Sequence, residues 1–273
     1  MNYFVLILPF IVLWFMFNIF SVLMSIYLLV KDGNFFEIAS RVLLDSLFWV
    51  SLKNSFIYVL VVIPLQFFSF LIAFGIYHLT SFWAGLFRSL FYLPVVIPIA
   101  SIGFVFKIMF NDEGVINDYL SLFLGFRLPF MSDYFFAMLV AFLVTFWKGL
   151  GYYVVIYLSG LYSISREIVE NSVIDGMSFV QRLWFVYLPL LKGTFYFCFF
   201  LSVLAALKVF AEIFIVTEGG PGTSTYTLMM YVYGRAFYSF DMQGAIFASF
   251  VLSLICIFVS LFIFRDQLVR IRF

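Results

Sequence analysis

The sequence predicts an all-α, polytopic membrane protein with six transmembrane helices, organised as one domain over residues 1-273. Three observations carry the prediction. Hydrophobic residues make up 66% of the 273 and charged residues 11%, with mean hydropathy +1.16, whereas soluble domains are about 45–50% apolar and about 25% charged. Apolar runs long enough to cross a hydrocarbon core, about 20 residues each, recur six times. The segments between them are too short to fold as soluble domains.

Taken in chain order, the expected spans are 3-30, 55-77, 88-110, 134-159, 193-216 and 243-264. The first has too long an apolar run for a signal peptide, and no cationic region or small-residue cleavage site frames it, so it is expected to be a retained helix. The second follows Lys53 and the third opens at Arg88. The fourth runs from Tyr134 through Trp147 and Lys148, and the fifth contains Lys208 and Glu212. The sixth leads into the basic tail RDQLVRIRF. The 42 Phe, 17 Tyr and 5 Trp residues suit lipid-facing and interfacial surfaces and carry no functional weight individually.

Six spans place both termini on one side. With the termini and the 78-87 and 160-192 loops together, that side holds seven basic residues (Arg88, Arg166, Arg182, Lys192, Arg265, Arg270, Arg272). The other holds five (Lys31, Arg41, Lys53, Arg127, Arg235) and nine acidic ones, Asp32, Asp112, Glu113 and Asp241 among them. The positive-inside bias therefore puts both termini in the cytoplasm.

Several chemistries have no residues to support them. There is no GxxxxGK[ST] phosphate loop, no HExxH and no Ser, His and Asp set, which points away from catalysis by this chain alone. Net charge +1 gives no footprint for nucleic acid. Cys198 and Cys256 sit in apolar runs as small hydrophobes, and the single His78 lies at a membrane edge, so no metal site is expected.

One tract interrupts the apolar pattern: EIVENSVIDGMSFVQRLWFVYLP, residues 167-189. Ile168, Val169, Val173 and Ile174 give a short helix one apolar face, with Glu167, Glu170, Asn171 and Asp175 elsewhere on it. Gly176 offers a helix stop, and Ser178 an N-cap for a second run carrying Phe179, Leu183 and Val186 and ending near Leu188-Pro189. By pattern alone this helix, turn, helix fits either an amphipathic loop on lipid headgroups or a docking element.

The residues resemble something more specific. Glu170, Gly176, Val186, Leu188 and Pro189 stand at the spacings of the EAA loop (EAA, three residues, Gly, nine residues, Ile-x-Leu-Pro) of permease subunits of binding-protein-dependent ABC importers. Asn171 and Ser172 replace the two alanines, and Val186 replaces Ile. Further tracts continue the likeness: FWVSLKNSF (48-56), FRSLFYLPVVIP (87-98), FWKGLGYYVVIYLSGLYSIS (146-165) and LKVFAEIFIVTEGGPGTSTYTLMMYVYGRAF (207-237). TEGGPGTST resembles the first permease of the carbohydrate-uptake pair, related to the maltose, glycerol-3-phosphate and lactose systems.

The resemblance implies a type I ABC importer permease fold in a prokaryotic inner membrane. It implies a second permease (a heterodimer), two cytoplasmic ATPase subunits carrying ATP and Mg, and an extracytoplasmic solute-binding protein. This chain would bind no cofactor itself. The loop at about 163-192, with Glu170, Asn171, Ser172, Asp175, Gly176, Leu188 and Pro189, would couple ATPase movement to the spans. The cargo would be a sugar, oligosaccharide or polyol.

Gly219, Gly220, Pro221 and Gly222 force a turn at the outer face, either a gate at the mouth of a cavity or a plain surface turn. Within the spans, Lys208 and Glu212 are four apart and would meet as an i, i+4 pair on one helix, as cavity lining or as a clasp. Lys148 either faces protein or snorkels. Trp147, Tyr152, Tyr153, Tyr157, Phe210 and Phe214 are the aromatic candidates for stacking on sugar rings. The competing classes are an ATP-independent secondary transporter or channel, which paired broken helices at midplane or inverted repeats would favour, and a membrane-anchoring subunit of a redox or lipid enzyme, which would need His ligands for haem or a polar catalytic cluster. The sequence displays neither signature.

Overall fold

The computed structural model describes residues 3–31 and 34–270, and the side chains of 7–31 and 34–264. Every regular element among them is helical. Asp32 and Arg272, used above to orient the chain, lie outside the described residues, as do the side chains of Arg265, Asp266 and Arg270.

α1 (3–30) is a long apolar helix with a π turn at Phe15–Ile19. None of its most hydrophobic window is buried within this chain. After α2 (Phe35–Leu43), Asp45 caps α3 (Ser46–Tyr77) by accepting the Leu47 amide at 2.9 Å. α3 tightens to a 3₁₀ turn at Val59–Val61, just ahead of Pro64, whose ring lacks an N–H and crowds the carbonyl four residues back.

The third span is not one helix. α4 (Ser81–Val96) and α5 (Ile99–Met109) meet at 88°, which corrects the expected continuous run 88-110. Pro98 is the physical reason: it disfavours helical backbone at the residue before it, and Ile97 is extended with ψ 133. After α6 (Val115–Leu124), the fourth span follows expectation as α7 (Tyr134–Tyr162), started by Asp133, which accepts the amides of Phe135 and Phe136 at 2.9 and 3.2 Å. α7 lies against α4 so closely that a Cβ on Gly151 would overlap the Phe91 carbonyl oxygen.

α8 (Arg166–Ile174) and α9 (Phe179–Leu190) form the loop ahead of the fifth span, and α9 meets α10 (Lys192–Leu207) at 66°. The fifth span breaks at 208–210 and resumes as the short α11 (Ala211–Val216), so the run 193-216 is also corrected. α12 (228–238) and the final long helix α13 (Met242–Arg270) complete the chain. Among the described residues, four helices are long and apolar enough to span a membrane, and the two bent pairs, α4–α5 and α9–α10, raise the number to as many as six.

The main core joins α3, α7, α10, α12 and α13 around the buried Tyr58, Leu207 and Tyr231. A second cluster joins α3, α7, α9 and α10 through Leu65, Tyr153, Tyr157, Tyr187 and Cys198.

Candidate functional site

The interrupted tract folds as the helix, turn, helix expected. Gly176 closes α8 in the left-handed region, at φ +74, where L side chains are strained. Ser178 then opens α9 with a reciprocal capping box, its Oγ accepting the Gln181 amide while the Gln181 side chain accepts the Ser178 amide at 2.8 Å. The apolar residues of α8 divide between two surfaces: Val169 packs toward α9, while Ile168, Val173 and Ile174 are exposed, Ile174 by 81%. Glu170, Asn171 and Asp175 are also exposed, and their side chains make no hydrogen bond or ion pair among the described residues. Ser172, one of the two departures from the alanine pattern, is buried and donates to the Val169 carbonyl at 2.6 Å. Val186 is buried, Leu188 half-buried and Pro189 exposed.

Among the spans, α3, α4, α7, α10 and the start of α11 line a half-open cavity of about 420 Å³. Lys148 and Glu212 line it, together with Tyr58, Thr145, Tyr152, Tyr153 and Ser202. The break in the fifth span separates Lys208 from Glu212: Lys208 terminates α10 and is exposed, Glu212 sits in the first turn of α11, and no ion pair joins them. The expected i, i+4 pair is thereby corrected. Lys148 instead donates to the Val95 and Ile97 carbonyls at 3.3 and 2.6 Å. Those are carbonyls left over where α4 ends, and a cation is favoured at a helix C-terminus.

The aromatic candidates separate by position. Tyr152 and Tyr153 line the cavity, and Tyr157 is fully buried just beyond it. Trp147 is 41% exposed and packs on Phe106; Phe210 and Phe214 stack on each other at 5.1 Å beside Tyr233. None of these three lines the cavity. Sequence reasoning missed Tyr58, Thr145 and Ser202, which line the cavity. The available signal was an isolated polar or hydroxyl side chain within an otherwise apolar run.

At the opposite end from α8, the TEGGPGTST segment is an ordered knot. Gly219 and Gly222 have φ +85 and +61. A Cβ on Gly219 would overlap the Tyr226 ring. Thr225 is fully buried, donates to the Gly220 carbonyl at 2.7 Å and lies 2.9 Å from the Thr217 hydroxyl. Thr227 donates to the Val209 carbonyl, at the break in the fifth span, at 2.9 Å. Asn54 and Ser55, from another of the tracts singled out, tie the knot to α3. The Asn54 amide donates to the Ser224 and Tyr226 carbonyls at 2.5 and 2.8 Å and accepts from Tyr134 at 3.1 Å, while Ser55 Oγ accepts the Leu228 amide at 2.8 Å. Lys107 pairs with Glu218 at its edge.

The described residues form a helical bundle with interrupted apolar helices, a cavity among them and an exposed helix-turn-helix, and the family match assigns this arrangement to the membrane component of a transport system. The chain belongs to the family of binding-protein-dependent transport system inner membrane components, which matches over residues 67–271. It is similar to the lactose transport system permease protein of Rhizobium radiobacter, at 30% identity over 71% of this chain and 66% of that one. It is also similar to the sn-glycerol-3-phosphate transport system permease protein of Rhizobium meliloti, at 30% identity over 50% of this chain and 47% of that one. Among solved structures, a bacterial ABC transporter involved in import of the acidic polysaccharide alginate shares the fold with TM-score 0.87 at 19% identity, covering 96% of this chain and 93% of that one. Family membership answers the question the broken spans raise: sequence inspection found no broken helices, the structure has them, and they belong here to an importer permease.

Proposed function

We propose that this chain is the membrane-spanning permease subunit of an ATP-driven, binding-protein-dependent importer, carrying a sugar, oligosaccharide or polyol. One observation carries the coupling role: α8 displays Ile168, Val173 and Ile174 beside the unpaired Glu170, all outside the chain's own packing. Exposed apolar side chains ringed by unpaired polar groups are what a protein interface requires. A cytoplasmic ATPase subunit supplies the groove, Glu170 meets its basic or amide donors, and Gly176 permits the sharp exit into α9. α9 leads into α10 across a single residue, so displacement of α8 and α9 moves the fifth span as a body.

ATP and Mg reside on the two ATPase subunits, and this chain contributes no catalytic group. A second, distinct permease completes the path, both termini face the cytoplasm of a prokaryotic cell, and a solute-binding protein delivers cargo at the glycine-rich end. The cargo class rests on the relatives named for lactose and glycerol-3-phosphate. It also rests on a cavity that combines hydroxyls, Glu212 and tyrosine rings. Copurification of the tagged chain tests the reading: Ile174→Asp is expected to release an ATPase that the unmodified chain retains. Retention of that ATPase by Ile174→Asp, at full hydrolysis rate, contradicts it.

A further inference from the structure

Glu212 brings a carboxylate to the cavity among the spans, and the two cations that could neutralise it are both directed elsewhere. Lys208, four residues earlier, is separated from it by the break at 208–210, which Thr227 holds by donating to the Val209 carbonyl at 2.9 Å. Lys148 lines the same cavity, but its ammonium donates to the Val95 and Ile97 carbonyls and forms no ion pair among the described residues. Those carbonyls lie where α4 ends, so the negative end of a helix offsets the ammonium charge. Among the described residues, the Glu212 carboxylate pairs with no other side chain.

Most hydroxyl protons around the carboxylate are already engaged. Tyr58 donates to the Ala141 carbonyl at 3.0 Å, which leaves Thr145, 2.6 Å from the Tyr58 oxygen, as the donor of that pair. Ser202 donates to the Cys198 carbonyl at 2.8 Å. What these three groups still offer is lone pairs. Tyr152 and Tyr153 add hydroxyls able to donate or accept, but no charge to offset Glu212. Val61, Val62 and Leu65 complete this part of the lining, and apolar walls screen a charge far less than water does. The cavity therefore presents acceptors and an unpaired negative charge.

We infer that Glu212 selects cargo by charge: it favours uncharged, hydroxyl-bearing molecules in this cavity and excludes sugar acids and sugar phosphates. The inference rests on the permease reading above and narrows its cargo, since sugars, oligosaccharides and polyols include anionic as well as uncharged members. Adjacent hydroxyls of an uncharged cargo can donate to the two carboxylate oxygens, in charge-assisted hydrogen bonds. An ionised group within a span is expensive without a partner, and cargo hydroxyls supply that partner. A carboxylate or phosphate group on the cargo brings acceptors where acceptors already stand, and a like charge in poorly screened surroundings.

The experiment uses the assembled importer in detergent, where both faces are open to reagents, in a background carrying Cys198→Ala and Cys256→Ala. Ala205→Cys places a single thiol on the cavity lining. Three methanethiosulfonate reagents of similar size are compared: the uncharged hydroxyethyl, the anionic sulfonatoethyl and the cationic trimethylammonioethyl compounds. Each rate is divided by that of the same reagent with a small free thiol. With Glu212 present, the anionic reagent is expected to lag the uncharged one about tenfold while the cationic one does not. Glu212→Gln should abolish the lag and leave the hydroxyethyl rate unchanged; Glu212→Asp, which keeps the charge, should preserve it. Equal normalised rates for the anionic and uncharged reagents with Glu212 present overturn the inference. So does a lag that Glu212→Gln leaves unmoved, or a thiol at 205 that none of the three reaches. Copurification of an ATPase does not depend on labelling at 205, so failure of the charge filter and failure of the permease reading are told apart.

Discussion

Lys148 shows how one side chain holds a broken helix. Its ammonium caps two carbonyls that α4 cannot satisfy beyond Val96, and that contact links the third span to α7 across the cavity. Lys148→Met keeps the aliphatic stem and removes both bonds. Since hydrogen bonds to charged groups contribute about 1.5–3 kcal/mol each, thermal unfolding in detergent should drop by several degrees. An unchanged melting temperature would show that the bend is fixed by Pro98 alone. Asp45 offers a pH test outside the spans. Burial pushes its carboxyl upward, but the Leu47 amide and hydrogen bonds from Arg235 and Tyr231 outweigh that and hold it below its ordinary value of 3.8. A depressed value stabilises the fold above the unfolded-state value and loses that contribution as pH falls through the folded one. The stability gap between the unmodified chain and Asp45→Asn is accordingly expected to shrink below about pH 4, as read by melting across a pH series. A gap that widens on acidification contradicts this.

Among the elements, α7 and α8 were legible in the sequence and the bent spans were not. α7 is a long apolar run after an N-capping aspartate, and α8 a charged tract with a glycine stop; both signals lie within about twenty residues. The break at 97–98 had a local signal in Pro98, yet six apolar runs of similar length concealed it. The break at 208–210 had none: its partner Thr227 is a loop residue eighteen positions later, bonded to Val209. The separation of Lys208 from Glu212 follows from the same break, so the pairing expected on a continuous helix could not form. Likewise, the Asn54 amide meets the glycine-rich knot across 170 residues, a contact invisible to periodicity. Two substitutions test the elements. Gly151→Ala places a methyl group on the Phe91 carbonyl and should cost about 1–3 kcal/mol or more as α4 and α7 separate, lowering the yield of folded protein. Gly176→Ala meets open space, so only its backbone is strained, by about 1 kcal/mol. It should weaken ATPase retention while leaving folded yield intact.

Across the whole molecule, the knot at one end is bonded to the fifth-span break and the α8–α9 tract at the other leads into the same span, with the cavity between them. The most hydrophobic stretch of α1 is unburied within the chain, and Leu29 near its end is buried. The central claim is that α8 transmits ATPase movement to this bundle. Its most direct test is copurification from native membranes followed by ATPase assay, comparing the unmodified chain with Glu170→Ala and Gly176→Asp. The account predicts that the unmodified chain brings down an ATPase and a second permease, and that the substitutions release the ATPase or abolish stimulated hydrolysis. Absence of any ATPase, with transport surviving both substitutions, would contradict it.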